Sequence, residues 1–287
     1  MGDNHGSRKA AAPTPAQVAD AVAFRPGDLL ADRDTRDTST APGDREATEA
    51  ATSALVEELA QLQEALYAEG VGGGHRSVLL LLQGMDTSGK DGTIRHALRG
   101  FNPLLCDVVP FKAPTETELD HDFLWRIHRA VPARSRIGIF NRSHYEDVVT
   151  VRVRKLAPKK AWKPRFKAIN GFERLLVASG TTIVKCFLHI SKEEQRKRLQ
   201  ERLNDSDKRW KFRRGDLDDR KLWDAFQRAY GDAIGRTSTE HAPWYVIPAD
   251  TKWRRDLIVS RIVRETLERM NPRFPAEEEG LDGLVVV

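Results

Sequence analysis

The stretch from Ser77 to Leu98, SVLLLLQGMDTSGKDGTIRHAL, restricts the fold more than any other part of the chain. It opens with an apolar run, Val78 to Leu82, short and continuous enough for a strand buried inside a parallel sheet. Gly84-x-x-x-x-Gly89-Lys90 follows, and then a helix-like segment from Gly92 to Arg99. Strand, glycine loop, lysine and helix in that order make the context in which such a loop binds phosphate. Gly84 and Gly89 let the backbone wrap an anion with its N–H groups inward. Thr87, Ser88, Gly92 and Thr93 lie on the same loop and first helical turn, and join the candidate phosphate-binding set. Lys90 adds a point charge, and the helix N-terminus adds partial positive charge.

The loop departs from the ordinary P-loop pattern at two positions. Asp91 follows Lys90, where a Ser or Thr hydroxyl usually holds Mg²⁺. Asp86 sits inside the loop. A carboxylate facing bound phosphate repels it unless a cation lies between them. The loop therefore points to Mg²⁺, with Mn²⁺ as a substitute, held by Asp86 and not by a hydroxyl. The alternative is that Asp86 caps the following helix.

Strands and helices alternate along the rest of the chain. Strands are expected at Cys106–Phe111, Ile137–Phe140, Thr181–Ile190 and Trp244–Ile247. Helices are expected over 46–69, from Thr115 to about Ala130 behind a Thr115/Glu118 capping box, and over 169–178, 191–203, 217–234 and 252–270. This pattern argues an α/β fold, a five-stranded parallel sheet flanked by helices. Residues 1–45 read as a flexible N-terminal arm, 46–272 as the main domain with a lid at about 204–216, and 273–287 as a C-terminal tail.

In a parallel sheet, ligands gather at the carboxyl ends of the strands. The phosphate loop, Lys112 and the segment Asn141–Asp147 all fall at expected strand ends, so they can converge. A second carboxylate should join Asp86 on the metal. Glu146 and Asp147 follow the third strand, and Asp147 is the favoured partner. Arg142 can grip a phosphate with its two-pronged guanidinium. The alternative for Arg142 and Asp147 is a structural ion pair.

The net charge of +5 is modest, but its placement is uneven. Arg152, Arg154, Lys155, Lys159, Lys160, Lys163, Arg165 and Lys167 crowd one segment without an acid among them. Lys208, Arg209, Lys211, Arg213 and Arg214 surround Trp210 and Phe212 in the expected lid. Such clusters suit a polyanion, either a long phosphate chain or nucleic acid. No pattern for reading bases accompanies them, so a phosphate chain is preferred. The lid's cations would close over phosphates and its aromatics would exclude water, unless those aromatics only anchor the loop. Cys106 and Cys186 lie in apolar strands and read as reduced thiols. With no apolar run of membrane-spanning length and no secretory leader in MGDNHGSRKAAAPTPAQ, the expected compartment is the cytoplasm, with no membrane partner.

QGMDTSGKDGTIRH, FKAPTETELDHDFLWRIHRAVP, IFNRSHYEDVVTVRV and the WKF lid with DLDDRKLWDAF resemble the polyphosphate kinase 2 family in sequence and in order. The resemblance runs from about Phe24 to Met270. It implies a P-loop kinase fold near thymidylate kinase. It also implies Mg²⁺-dependent transfer of the terminal phosphate of inorganic polyphosphate to a nucleoside mono- or diphosphate. It assigns catalysis to Asp86, Lys90, Arg142 and Asp147, with metal at Asp86 and Asp147. Phosphate or nucleotide contacts fall to Lys112, Asp91 and Glu146, and lid contacts to Lys208, Arg209, Trp210 and Lys211. The HYED form at His144–Asp147 resembles members that accept both AMP and ADP, and a homodimer or tetramer is implied. Two rival readings share the loop: an ATP-dependent nucleoside monophosphate kinase, and a non-enzymatic nucleic-acid-binding module.

Overall fold

The computed structural model describes residues 15–279 and 281. Helix α1 (Pro15–Val22), a 3₁₀ turn at Leu30–Asp32 and the long helix α2 (Arg45–Val71) come first. Strand β1 (Ser77–Gln83) leads into α3 (Lys90–Ala97), then β2 (Cys106–Pro110), α4 (Glu116–Leu119), α5 (Trp125–His128) and β3 (Ile137–Asn141). Two short helices, α6 (Thr150–Val153) and α7 (Lys159–Trp162), precede α8 (Arg165–Ala178), β4 (Thr181–His189) and α9 (Lys192–Asn204). The chain closes through α10 (Arg214–Lys221), α11 (Trp223–Thr237), β5 (Trp244–Pro248) and α12 (Lys252–Met270).

The five strands form one parallel sheet in the order β2-β3-β1-β4-β5. Every residue of β1 is buried, as its unbroken apolar run requires of a central strand. Each side chain from Val78 to Leu82 contributes about 1.5–3 kcal/mol by leaving water. Helix α12 packs on α2, α1 and α3, while α8 packs on β4 and α11. From β1 the chain crosses to β2 beyond β3, and later moves to β4 on the opposite side of β1. The strand order therefore reverses at β1. The loops after β1 and β3 open at that reversal, where a crevice forms.

Several sequence expectations change. The expected arm lies partly in residues 1–14, outside the described residues. From residue 18 it is packed: Val18, Val22, Phe24, Leu30 and Ala41 are buried in the core. Ala23 bridges Tyr245 at the edge of β5, and Arg254 donates to the carbonyls of Ala41 and Gly43. Little periodicity in a chain segment does not prevent it from docking by isolated apolar contacts. The expected helix over 115–130 is two short helices. The capping box at Thr115 is present, but the first helix ends at Leu119 and the second begins at Trp125. The expected helix over 217–234 begins earlier and is broken at Leu222. Of the expected C-terminal tail over 273–287, residues 280 and 282–287 lie outside the described residues.

The centre of β4 carries a buried ion pair that its hydrophobic pattern conceals. Lys185 Nζ donates to Glu173 Oε2 at 2.6 Å, to Tyr145 Oη at 3.0 Å and to the Thr237 carbonyl at 2.7 Å. Tyr145 Oη donates to Glu173 Oε1 at 2.7 Å. Burial alone would favour the neutral forms, but the pair is closed by hydrogen bonds on both sides. It ties α8, β4, α11 and the turn after β3 together behind the crevice. Lys185→Met leaves Glu173 buried without its cation and should destabilise the protein by about 3–5 kcal/mol. Urea unfolding reads this directly, and an unchanged midpoint would show the pair to be dispensable.

Candidate active site

The loop after β1 turns its backbone inside out. Gly84 has φ 149° and Gly89 has φ 105°, both in the region glycine tolerates best. A Cβ at Gly84 would lie 2.7 Å from the Leu188 carbonyl, and one at Gly89 would lie 1.8 Å from Arg255 Nη1. Thr87 also takes a left-handed φ, 65°, without being glycine. Lys90 folds back over the loop. Its Nζ donates to the carbonyls of Gly84 at 2.8 Å and Met85 at 3.2 Å, and lies 3.4 Å from Ser88 Oγ. Burial drives the Lys90 pKa down to about 8; Arg142 pushes the same way, and Asp86, Glu146 and Asp91 oppose them.

Asp86 does not cap α3, whose N-cap is Gly89 without a side-chain cap. Its Oδ1 instead accepts from Arg142 Nη2 at 2.7 Å. Arg142 Nη1 stands 3.6 Å from Glu146 Oε2, so one guanidinium joins two carboxylates. Burial works against the Arg142 charge, but Glu146 and Asp86 outweigh it and hold the group above its ordinary value. Arg142 has φ 64°, a strained backbone for a bulky residue just past β3. Glu146 is fixed in turn: Thr150 Oγ1 donates to its Oε2 at 2.6 Å. In the amide orientation that satisfies both partners, Gln83 donates to Glu146 Oε1 at 3.2 Å and accepts from the Ser143 backbone N–H at 3.1 Å.

The HYED turn thus divides. His144 and Tyr145 are buried in the core beside Glu173, while Glu146 joins Arg142. Asp147 makes its charged contacts elsewhere. Arg165 Nη1 donates to its Oδ1 at 3.1 Å, and Arg126 Nη2 lies 3.8 Å from Oδ2. Asp147 Oδ2 is buried with no hydrogen-bond partner among the described residues. Burial raises the Asp147 pKa against the pull of Arg165 and Arg126. Arg142 and Asp147 are not paired with each other, and the acid that shares Arg142 with Asp86 is Glu146. Asp91, offered as a phosphate contact, is exposed and accepts from Asn141 Nδ2 at 2.6 Å. Gly92 and the buried Thr93 lie in the first turn of α3.

Arg126 also donates to the Lys112 carbonyl at 2.9 Å. The Lys112 side chain is exposed on the rim of an open cleft of about 340 Å³, together with Arg126, Arg129, Trp125 and Glu118. Arg129 stacks over Trp125 at 4.7 Å. Asp147 therefore borders this cleft through Arg126.

The lid region holds a 3₁₀ turn at Arg209–Lys211 and, from Arg214, helix α10. Lys208 pairs with Asp205, and Arg209 Nε donates to the Leu203 carbonyl at 2.8 Å. Trp210 is 76% exposed, so it neither anchors the loop in the core nor seals the crevice in this conformation. Lys211 lies 5.1 Å over its ring. In the basic segment, Arg154 binds Asp219 through both prongs, at 2.9 and 2.6 Å, and Arg152 binds Asp232 at 2.7 Å. Lys155, Lys159, Lys160, Lys163 and Lys167 are exposed and meet no carboxylate among the described residues.

Sequence reasoning passed over four side chains that touch the loop: Gln195 and Arg198 on α9, Tyr230 on α11, whose Oη donates to the Gly84 carbonyl at 3.4 Å, and Arg255 on α12. Gln195 donates to the Asp86 carbonyl at 3.2 Å, Arg198 to those of Thr87 at 2.9 Å and Ser88 at 3.1 Å, and Arg255 to Ser88 at 3.3 Å. Charge throughout KEEQRKRLQERLN suggests a solvated helix. The available signal was spacing: Gln195, Arg198 and Leu199 share one helical face, and that face is buried.

A parallel sheet reversing at a phosphate loop, with a cation-rich segment after β4, defines a P-loop kinase fold. The sequence description of polyphosphate kinase 2 (PPK2) matches residues 43–275, and the chain belongs to that family. It is 52% identical over 253 residues to an AMP/ADP-polyphosphate phosphotransferase of Meiothermus ruber, covering 88% of this chain and 93% of that protein. It is 47% identical over 232 residues to an ADP-polyphosphate phosphotransferase of Rhodopseudomonas palustris, covering 77% and 79%. The crystal structure of polyphosphate kinase 2 from Arthrobacter aurescens superposes with a TM-score of 0.91 at 42% identity, over 94% of this chain and 95% of that one.

The Lys90 charge is lost as pH rises through about 8, because its folded pKa lies there and not at 10.5. Pyrophosphate binding, measured by calorimetry, should weaken across that pH in the wild type. In Lys90→Ala it should be weak throughout, with that pH dependence removed. An identical pH profile in the two proteins would exclude Lys90 as the titrating group.

Proposed function

We propose that this protein transfers the terminal phosphate of inorganic polyphosphate to AMP and to ADP, with Mg²⁺ or Mn²⁺. The observation that carries the reading is the phosphate loop, with its buried Lys90 and the Asp86–Arg142–Glu146 cluster, in a chain 52% identical to an AMP/ADP-polyphosphate phosphotransferase. An oxygen of the acceptor's last phosphate attacks the terminal phosphorus of the chain. A new P–O bond forms, the bond to the next bridging oxygen breaks, and the polyphosphate leaves one unit shorter with the electron pair on its new end. Lys90 and Arg142 are placed to stabilise charge spreading over the transferred group.

The donor set fits a hard divalent cation. Asp86 and Glu146 are carboxylates joined to one arginine, and no cluster of three or more ligating side chains that could hold an ion occurs among the described residues. Such a site suits Mg²⁺, which binds through one or two carboxylates and completes its shell with water and substrate phosphates. Asp86 with Glu146 is the pair that would hold it, and the ion would supply charge neutralisation at the phosphates. The cleft at Lys112, Arg126, Arg129 and Trp125 offers cations and an aromatic face to the acceptor. The unpaired lysines from Lys155 to Lys167 suit the remainder of the polyphosphate chain. A cytoplasmic setting agrees with two free cysteines, which fit a reducing compartment.

Purified protein with Mg²⁺, long-chain polyphosphate and AMP or ADP separately, without ATP, tests the reading. ADP and ATP should form from AMP, and ATP from ADP. AMP phosphorylation that requires added ATP would point instead to an ordinary nucleotide kinase. Asp86→Asn should lower turnover by at least about a hundredfold, the scale of losing one charge-stabilising group in a transfer site; near-normal turnover would refute its assignment. Lys208→Ala with Arg209→Ala should raise the polyphosphate KM by about fivefold or more and the nucleotide KM by less, consistent with losing two exposed charges. Equal changes in both would argue against a lid that contacts the donor.

A further inference from the structure

Every carbonyl of the loop from Gly84 to Gly89 has a donor. Lys90 serves Gly84 and Met85, Gln195 serves Asp86, Arg198 serves Thr87 and Ser88, Arg255 also serves Ser88, and the Thr93 N–H serves Gly89. The amides of Asp86, Thr87, Gly89 and Lys90, by contrast, donate to no acceptor among the described residues. A peptide unit has its N–H and C=O on opposite sides. Donors that grip the carbonyls from behind therefore decide which way the amides point.

We infer that Arg198 is a positioning residue for phosphate transfer, assisted by Gln195 and Arg255. It holds the Ser88 carbonyl away from the ligand so that the free Gly89 amide of the same peptide faces the phosphate, and it fixes the Thr87 carbonyl, whose peptide N–H, that of Ser88, closes the loop by donating to the Met85 carbonyl at 3.1 Å. Arg198 is 6% exposed, and its five N–H groups are all engaged. Nε donates to Glu194 Oε1 at 2.7 Å. Nη1 takes the two loop carbonyls, and Nη2 takes the carbonyls of Ala249 at 2.6 Å and Asp250 at 2.9 Å. The second anchor is itself fixed. The Asp250 carboxylate accepts from the Ser191 N–H at 2.7 Å and from Thr35 Oγ1 at 3.0 Å. The loop is thus braced against the β5–α12 turn, which the docked segment around Thr35 clamps from outside. The grip falls on Thr87, the residue held at φ 65° without glycine's freedom. A conformation of that kind persists only where its surroundings enforce it. A lysine in place of Arg198 keeps the charge but cannot span four carbonyls with a planar fork.

This inference rests on the transfer reading above, so its test carries a binding arm that is independent of turnover. Arg198→Lys is compared with the wild type by steady-state kinetics and by calorimetric titration with ADP and with tripolyphosphate. The KM and Kd should rise by about tenfold for whichever substrate places its phosphate in the loop, and by less than about twofold for the other. A purely structural role would lower the active fraction and leave both affinities alone; that result, or equal shifts in both, overturns the inference. A wild type that binds either ligand but transfers nothing sinks the transfer reading, while the comparison of Kd values still decides the role of Arg198. A wild type that binds neither ligand overturns both. Thermal melting reports folding, and if Arg198→Lys does not fold, Gln195→Leu, which frees the Asp86 carbonyl and one N–H of Arg220, should show the same selective shift at about threefold. No selective shift in that variant also overturns the inference.

Discussion

A backbone that offers its amides to an anion must first find partners for its carbonyls. That constraint organises the crevice. A carbonyl left facing bound phosphate would repel it, and one left buried without a donor would cost the free energy of an unmade hydrogen bond. Here the donors arrive from Lys90 beside the loop and from three helices far along the chain, α9, α11 and α12. The central strand β1 delivers the loop to the sheet's reversal point, and the helices flanking the sheet supply its outer wall.

The charges in the crevice are arranged by the same economy. Arg142 lies between Asp86 and Glu146, and Asp147 lies between Arg126 and Arg165. Two adjacent acids, Glu146 and Asp147, therefore serve different neighbourhoods. A short 3₁₀ turn makes this possible, since successive residues leave it in different directions. His144 and Tyr145, from the same turn, point into the core and join the buried Lys185–Glu173 pair. The turn that presents Glu146 is thereby fastened from behind, on a rigid base well suited to electrostatic work.

Much of the fold was legible in the sequence because its signals are local. The apolar run before Gly84 marks a buried strand, and alternation with amphipathic helices marks a parallel sheet. The five strands fall within about a residue or two of their expected positions. The segment from Val18 to Ala41 reads in sequence as a mobile or loosely docked arm because its few apolar residues follow no period; in the structure each finds its own place against α12, α11 or β5. The break between α4 and α5 was missed because the capping box marks where a helix starts and says nothing of how far it runs.

The candidate site was legible where chemistry is written into neighbouring residues. Gly84, Asp86, Gly89 and Lys90 stand close in the chain, and their spacing alone specifies a phosphate loop with an acid in it. The sequence by itself determined the strand–loop–helix unit, the parallel sheet and the clusters of cations, since each follows from periodicity or spacing over a few residues. Only the tertiary structure decided that Glu146 shares Arg142 with Asp86, that Asp147 belongs to Arg126 and Arg165, and that Arg198 braces the loop. Those pairings join residues up to 111 positions apart, and side chains so separated meet only after the sheet has set the order of its strands.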